Sequence, residues 1–492
     1  MKLLEKEVKK VLLVYPNFVT KTITDNITIP PLGLETIAAC ILDHVNVKII
    51  DAKVRNLKVE DLVKEMNEYR PDVVGISCCF TIGINFSLKI AREAKRNGYA
   101  TVLGGWHPNF VPSDVLKYSF VDVVVRGEGE ITFKELIQNK DFEEIDGISY
   151  KKEGKIINNP DRPLIKDINK LPIPARHLRD KKSYYQIFQL PVDVLETSRG
   201  CPYKCTFCNI HLFFRGTYRM KTPERVLKEL KIIYEEKGHT DVLIVDDNFT
   251  ANMKRVEKIC DLIIEEGIKL DLMCQSRMDV INRNPRIIKK MARAGFWSFF
   301  CGIESFNQKS LNNIDKRVNF KDIIKSIQIL HENNILIVGS LLIGADLDEI
   351  EEDTEVMIKI VKKLDIDFPI YSVMTPLPGT KFRDLIIQKG YLLSEDWSQY
   401  NFTTAVNRLN YLSKEKLEEL LLKAYYNAYF NRSWKDTILR LLRSKGLRLI
   451  FQKNIFKVLR ESLNFLDNVR KIKLRLDNKT STTSEEITTF QI

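Results

Sequence analysis

The chain has 492 residues, which predicts about three domains and excludes a single small module. Hydrophobic residues make up 44% of the chain and charged residues 29%, a balance that excludes wholesale disorder. The sequence contains no run of about 18 uncharged apolar residues, and its N-terminus does not resemble a secretion signal. We therefore expect a cytoplasmic protein.

The net charge of +12 is concentrated near the C-terminus. Between Arg432 and Lys479, 14 Lys and Arg residues face four acids, which accounts for +10 of the total. Because the rest of the chain is close to neutral, this pattern argues against a nucleic-acid partner. Basic residues alternate with Leu, Ile and Phe over residues 434–475, which predicts either peripheral membrane contact, docking of an acidic protein, or an apolar face packed on the protein body.

Short β-rich runs alternate with amphipathic stretches from Val11 to about Tyr150. This alternation predicts an α/β fold that begins with a doubly wound, Rossmann-like parallel sheet, with a ligand crevice at the carboxyl ends of the strands. A hairpin is predicted from Asp146. The predicted strands are Val11–Tyr15, Val47–Asp51, Val73–Ser77, Thr101–Leu103 and Val121–Val125.

A second alternating pattern begins near residue 190. Its six βα units predict an open, partial (βα)6 barrel whose chemistry lies at the carboxyl ends of the strands. After about Tyr391 the pattern becomes helical. The predicted strands are Val192–Thr197, Val242–Asp246, Leu272–Ser276, Ser298–Ile303, Ile335–Ile343 and Ile370–Thr375.

These patterns divide the chain into five predicted segments. They are a ligand-binding sheet domain over 1–150, a linker with a hairpin over 151–188, the partial barrel over 189–392, a basic C-terminal helical region over 393–479 and a disordered tail over 480–492.

Three of the nine cysteines lie in one polar loop after the first predicted barrel strand, as Cys201, Cys205 and Cys208. Three thiolates at this spacing can hold three irons of a cubane cluster and leave the fourth iron open. The alternative is a zinc site completed by His211. We expect the other six to be buried core thiols: Cys40, Cys78, Cys79, Cys260, Cys274 and Cys301.

The cysteine loop, with Phe207 before its third cysteine and a partial barrel behind it, resembles the radical S-adenosylmethionine (SAM) superfamily. The resemblance implies that Cys201, Cys205 and Cys208 ligate a 4Fe-4S cluster that binds SAM and reductively cleaves it. For Asp246 a helix N-cap is the alternative, and for Arg277 a surface salt bridge. The residues implied to contact SAM are Phe207, Asp246, Arg277, Glu304 and Ser305.

The N-terminal sheet is similar to the cobalamin-binding domain that precedes many radical SAM barrels. None of the six histidines follows an Asp by two residues, so we expect cobalamin to bind base-off without a histidine below cobalt. For His107, the one histidine in the crevice loops, we expect a structural hydrogen bond. The residues implied to contact cobalamin are Pro31, Gly33, Ser77, Gly104, Gly105, Gly127 and Glu128.

The two resemblances together imply a cobalamin-dependent radical SAM enzyme, of the class B methyltransferase type, that methylates an unactivated carbon. They also imply an electron donor such as ferredoxin or flavodoxin and a lipid, peptide or small-molecule substrate, and no general base is assigned. One alternative is cyclisation, oxidation or carbon-carbon coupling of a lipid or tetrapyrrole without methyl transfer. Another is a cobalamin sensor without catalysis.

Overall fold

Two parallel sheets carry the fold, as the two alternating patterns predict. The computed structural model describes residues 1–18, 27–180, 184, 191–238 and 240–429. The predicted membrane-contact segment 434–475 and the predicted disordered tail 480–492 lie outside the described residues. No helix within the described ranges is long and apolar enough to span a membrane.

The N-terminal sheet has seven strands. They are β1 (Lys10–Tyr15), β2 (Asn46–Asp51), β3 (Val73–Ser77), β4 (Ala100–Gly104), β5 (Val123–Val125), β6 (Ile148–Lys152) and β7 (Lys155–Asn158). Their order is β2-β1-β3-β4-β5-β6-β7, in which the first five strands are parallel and β6 and β7 form an antiparallel hairpin. The doubly wound sheet is confirmed, and the hairpin extends its edge to Asn158.

Helices cover both faces of this sheet. They are α1 (Leu32–Ile41), α2 (Val59–Tyr69), α3 (Ile84–Arg96), α4 (Trp106–Phe110), α5 (Pro112–Leu116) and α6 (Gly129–Ile137). Val11 and Leu13 of β1 pack in the core beside α1 and α6, whereas Leu12 and Val14 pack in the core beside α2 and α3. Burial on both faces explains why β1 reads as a continuous apolar run.

The second sheet has six parallel strands. They are β8 (Val192–Leu195), β11 (Asp241–Ile244), β12 (Asp271–Arg277), β13 (Phe296–Glu304), β14 (Leu336–Ile343) and β15 (Phe368–Val373), in the order β15-β14-β13-β12-β11-β8. A short ribbon of β9 (Ser198–Arg199) and β10 (Arg219–Met220) follows β8. The predicted partial barrel is confirmed, and its carboxyl strand ends form one continuous rim.

Helices lie outside the barrel and after it. They are α7 (Ile210–Phe213), α8 (Pro223–Lys237), α9 (Met253–Glu265), α10 (Met278–Arg283), α11 (Pro285–Arg293), α12 (Gln308–Asn313), α13 (Phe320–Glu332), α14 (Glu351–Lys363), α15 (Lys381–Gln388) and α16 (Lys414–Tyr429). Thr222 caps α8, because its hydroxyl accepts a hydrogen bond from the Arg225 amide at 3.2 Å. Gly295 ends the turn after α11 at φ +99°, where a Cβ atom would lie 2.3 Å from the Leu270 carbonyl oxygen.

Four of the six predicted core thiols are buried, namely those of Cys78, Cys260, Cys274 and Cys301. Cys40 and Cys79 are only half-buried.

A buried arginine joins the first sheet domain to the barrel. Arg179 donates to both oxygens of Glu35 in α1, at 2.7 and 3.0 Å, and to Asp193 in β8 at 2.8 Å. The side chains of Arg179, Glu35 and Asp193 are 8%, 0% and 2% exposed. Such a group is costly to break, because removing one partner leaves buried charges uncompensated.

We predict that Arg179→Ala lowers the free energy of unfolding of the apoprotein by about 3 to 5 kcal/mol. Arg317→Ala is the matched control, because its ion pair with Asp315 is exposed and exposed pairs contribute under about 1 kcal/mol. Urea unfolding followed by circular dichroism measures both. Equal unfolding midpoints for the two variants would show that the ion pairs of Arg179 with Glu35 and Asp193 do not hold the domains together.

Candidate active site

The three clustered cysteines lie in the loop between β9 and α7. The amide of Cys208 donates to the carbonyl of Cys205 at 3.1 Å, which folds the loop back on itself. Gly200, directly before Cys201, has φ +89°, and a Cβ atom there would lie 2.2 Å from the carbonyl oxygen of Thr217. Glycine is therefore required at the start of the loop.

The cysteine loop is hydrogen-bonded to two segments of the barrel that are remote in sequence. The Thr206 amide donates to the carbonyl of Ile314, and the Phe382 amide donates to the carbonyl of Thr206, both at 3.0 Å. Phe207, predicted to contact SAM, packs against the apolar cluster that contains Ile314 and Phe382. Backbone bonds from two remote segments therefore determine where the cysteines lie.

The three cysteine thiols lie near one another and near two side-chain N–H donors. Burial raises the pKa of Cys201, and burial with the neighbouring thiols raises the pKa of Cys208 to about 12. The Asn248 side-chain amide lies 3.9 Å from the Cys201 sulfur, and a guanidinium nitrogen of Arg277 lies 4.0 Å from the Cys205 sulfur. Cys205 is buried and Cys201 and Cys208 are half-buried, and thiols in such a setting with outer N–H donors suit an iron-sulfur cluster.

The donor set fits a cubane cluster better than a zinc ion. Among the described residues, no three His, Cys, Asp or Glu side chains converge on a position for one metal ion. The three thiolates of a 4Fe-4S cluster each bind a different iron, so they need not converge on one point. His211, the fourth ligand of the zinc alternative, does not converge with the three thiols, although its Nδ1 atom is buried without a partner in the described structure. The zinc alternative is not supported.

Two aspartates follow β11 and support the start of the cysteine loop. Asp246 is buried and accepts hydrogen bonds from the Thr197 amide at 2.6 Å and from the Thr197 and Ser198 hydroxyls. Asp247 accepts from the Gly200 amide at 3.1 Å, and burial raises its pKa to about 7. The carboxylate of Asp246, predicted to contact SAM, is therefore engaged with the chain that precedes the cysteines.

Arg277 lies at the end of β12 within a buried network. Its Nε donates to Asp279 at 3.0 Å, a second nitrogen donates to the Lys316 carbonyl, and its guanidinium stacks 3.5 Å from the ring centre of Tyr203. Arg277 is only 6% exposed, so its ion pair is not the surface salt bridge considered as an alternative. The guanidinium is held in a fixed direction beside Cys205.

Glu304 ends β13 in a strained conformation. Its φ is +65°, its Oε1 accepts from the Lys316 ammonium at 2.6 Å, and its Oε2 accepts from the Ser340 hydroxyl at 3.3 Å. The Ser305 hydroxyl accepts from the Asn307 amide at 3.0 Å. A non-glycine residue with positive φ at a buried rim is characteristic of functional sites.

Sequence reasoning missed four neighbours of these predicted residues. Three stand two residues from a predicted site residue and could have been found from that position, whereas Lys316 pairs with Glu304 12 residues away and carries no local signal. The four are Tyr203, Asn248, Asp279 and Lys316.

The predicted cobalamin residues lie at the carboxyl edge of the first sheet. A Cβ atom would meet nothing within 4 Å at Gly33 or Gly127, and only an ordinary contact with Val125 at Gly104. At Gly105, φ is +108° and a Cβ atom would lie 2.7 Å from the Cys78 carbonyl, so glycine is needed there for folding. Pro31 directly precedes α1, and the Ser77 hydroxyl lies 3.2 Å from the Cys79 sulfur.

Glu128, predicted to contact cobalamin, pairs instead with the barrel. It accepts from Arg199 at 2.7 Å, from Arg219 at 2.9 and 3.0 Å, and from the Ile165 amide at 2.8 Å. Arg199 also donates to Glu130 at 2.5 Å. These ion pairs tie the loop after β5 to the strand that leads into the cysteines.

Aromatic side chains make a second contact between the two halves. Trp106, after the glycine pair of β4, has its ring 4.4 Å from Phe213 and 5.8 Å from Phe214. Phe213 ends α7, which begins two residues after Cys208. The candidate cobalamin crevice and the candidate cluster loop therefore share one interface.

His107 is buried within this crevice, 2% exposed. Its Nδ1 lies 3.3 Å from the Thr81 hydroxyl, and its ring packs edge-on against Trp397 at 5.1 Å. Burial, with the nearby charge of Arg383, lowers the pKa of His107 to about 4. The expected structural hydrogen bond of His107 is present in this arrangement.

Comparisons with protein families match both halves of the chain. Residues 22–137 match the B12 binding domain, and residues 195–381 match the Radical SAM superfamily. An uncharacterized methyltransferase of Pyrococcus horikoshii is 35% identical over 437 residues, which cover 86% of this chain and 93% of that protein. The hopanoid C-3 methylase of Methylococcus capsulatus is 28% identical, over 71% of this chain and 67% of that protein.

Another similar protein carries a different activity in its name. The anaerobic magnesium-protoporphyrin IX monomethyl ester cyclase of Rubrivivax gelatinosus is 24% identical, over 86% of this chain and 78% of its own length.

Two solved structures share the fold at 18% identity and a TM-score of 0.65. The radical SAM methyltransferase TsrM of Kitasatospora setae, solved with cobalamin and a 4Fe-4S cluster, matches 78% of each chain. The cobalamin-dependent SAM radical enzyme OxsB, solved with aqua-cobalamin and SAM, matches 96% of this chain and 81% of that one.

The depressed pKa of His107 makes stability depend on pH. Unfolding restores the ordinary pKa of 6.5, so the unfolded chain binds the proton first as the pH falls and the folded state loses stability between about pH 6.5 and 4. We predict that wild type loses about 2 kcal/mol more than His107→Gln between pH 7 and pH 5. Denaturant unfolding of both apoproteins at the two pH values measures this difference. Parallel pH profiles would contradict it.

Proposed function

Because this chain belongs to the cobalamin-dependent radical SAM enzymes, we propose that it methylates an unactivated carbon atom of its substrate. The observation that carries this proposal is the shared interface of Trp106 with Phe213, which joins the cobalamin crevice to the cluster loop. Two cofactors that act on one substrate atom have to be held in one fixed arrangement. The methyltransferase and methylase relatives support the same reaction.

The cofactors of this family are a 4Fe-4S cluster, SAM and cobalamin. When bound, the cluster and SAM supply a carbon-centred radical and cobalamin supplies a methyl group. In this proposal Cys201, Cys205 and Cys208 hold three irons of the cluster. Arg277 and Asn248 orient N–H groups toward the thiolate sulfurs and so stabilise their charge.

Of the other predicted residues, two support the cysteine loop and the rest are proposed to face a cofactor. Asp246 keeps the loop in place through Thr197 and Ser198, and Glu128 does so through Arg199. The residues proposed to face SAM are Phe207, Arg277, Glu304 and Ser305, and those proposed to face cobalamin are Pro31, Gly33, Ser77, Gly104 and Gly127.

A radical cyclisation without methyl transfer is the second candidate. The relatives named as magnesium-protoporphyrin IX monomethyl ester cyclases, one of which covers 86% of this chain, favour it. The two reactions differ in their products, because methyl transfer converts a second SAM molecule to S-adenosylhomocysteine whereas cyclisation does not.

Two partners complete the proposal. Reduction of the cluster requires a low-potential electron donor, which we assign to a ferredoxin or flavodoxin. The basic and apolar segment 434–475 would give a peripheral membrane contact through anionic lipid, at roughly 1 kcal/mol per Lys or Arg at the surface.

We predict that the reconstituted enzyme forms S-adenosylhomocysteine and 5'-deoxyadenosine in equal amounts during turnover with an extract that contains its substrate. Cys201→Ala, Cys205→Ala and Cys208→Ala abolish both products, because a cubane corner is left unheld. Liquid chromatography with mass spectrometry quantifies both products, and iron analysis reports cluster content.

Cys260→Ala is the matched control, since this thiol is buried in the core behind the barrel. It retains cluster and both products. Deoxyadenosine without S-adenosylhomocysteine would favour cyclisation, and full SAM cleavage by any variant of the three clustered cysteines would contradict the site.

A further inference from the structure

Each barrel strand has one face toward the surrounding helices and one face toward the barrel interior. Successive side chains of a strand point to opposite faces, and in β13 the residues Phe299, Cys301 and Ile303 pack outward in the core beneath the helices. Phe300 and Gly302 therefore face the barrel interior. At the base of the barrel, Met273 and Trp297 belong to a separate apolar cluster that closes the floor.

One residue above this floor is unusual. Phe300 is 37% exposed, although β13 is a central strand with neighbours on both sides. Phe300 pairs in register with Gln275 on β12 and Val338 on β14, so it stands in the middle of the interior wall. An exposed aromatic ring in this position marks a space that something apolar fills.

The other interior positions between floor and rim share the same character. They are uncharged and partly accessible, and three are apolar and three carry a hydrogen-bonding group: Val245, Phe300 and Ile370, and Gln275, Ser340 and Ser372. Gln275 and Ser372 make no side-chain hydrogen bond with any residue in the described part of the chain. They are therefore available to a hydroxyl or carbonyl group.

The charged side chains nearest to this space already have partners. Arg277 pairs with Asp279, and Glu304 pairs with Lys316, each within a buried network at the rim. A charged substrate group placed on the Phe300 wall would lose its hydration without gaining an ion pair.

We infer that the barrel interior takes an uncharged lipid, whose hydrocarbon body lies against Phe300 and whose hydroxyl or carbonyl group meets Gln275 or Ser372. This inference rests on the proposed function, because it names the substrate class of the same site. Apolar contact with Phe300 and one hydrogen bond would hold such a lipid without an ion pair.

The test uses the reconstituted holoenzyme and SAM labelled with a trideuterated methyl group. An extract from cells of the source organism that lack this protein is divided into a chloroform-methanol lipid fraction, a peptide fraction and a water-soluble small-molecule fraction. We expect the label to enter the lipid fraction only. Mass spectrometry of each fraction detects it, and S-adenosylhomocysteine is quantified in parallel.

Substitutions of Phe300 test whether this residue binds the lipid. Phe300→Asp lowers labelling of the lipid at least about tenfold, because it places a carboxylate where the hydrocarbon lies, whereas Phe300→Leu keeps it within about threefold. Val356→Asp, which adds the same charge at an exposed position on α14, is the control and labels like wild type. Cluster content and cobalamin absorbance show that each variant is folded.

The outcomes separate this inference from the proposed function. Label in the peptide or water-soluble fraction, with none in lipid, overturns the lipid assignment and leaves methyl transfer intact. Equal labelling of lipid by Phe300→Asp and wild type overturns the role of Phe300 in binding the lipid. The absence of S-adenosylhomocysteine with every fraction overturns methyl transfer, and the lipid assignment with it.

Discussion

The guanidinium group of Arg199 is shared by three carboxylates, and the rest of the site depends on it. Glu128 and Glu130 come from the N-terminal sheet domain, and Glu196 follows the first barrel strand. The side chain of Arg199 is 7% exposed, so the charges have little access to water. Loss of the arginine would leave buried carboxylates without a partner, a change that costs about 3 to 5 kcal/mol in comparable networks.

This ion-pair group lies two residues before the first cluster cysteine. Gly200 connects Arg199 to Cys201 and donates its amide to Asp247, so the direction of the loop is fixed from both sides. On the far side of the cysteines, Phe213 meets Trp106 of the cobalamin crevice. The cysteine loop is therefore fastened to the N-terminal domain before and after the cysteines, and movement of one cofactor site would be transmitted to the other.

Much of this arrangement could be predicted from the sequence, because it is encoded locally. Parallel strands buried on both faces read as apolar runs, and the three cysteines have a diagnostic spacing. Contacts between distant residues carry no such signal. The resemblance to cobalamin-binding domains implies that Glu128 contacts cobalamin, yet its carboxylate meets Arg199 and Arg219. The exposure of Phe300 depends on strand register and on the packing of neighbouring strands, which periodicity alone does not give.

We expect Arg199 to hold the two cofactor sites at one fixed separation. Pulsed electron paramagnetic resonance on holoenzyme that contains the reduced cluster and cob(II)alamin measures the dipolar coupling between their spins. A single coupling is expected in wild type and in the control Arg317→Gln, whose ion pair is exposed, and a broadened or shifted coupling in Arg199→Gln with both cofactors still bound. An identical coupling in Arg199→Gln and wild type would show that Arg199 does not set the separation of the two cofactor sites.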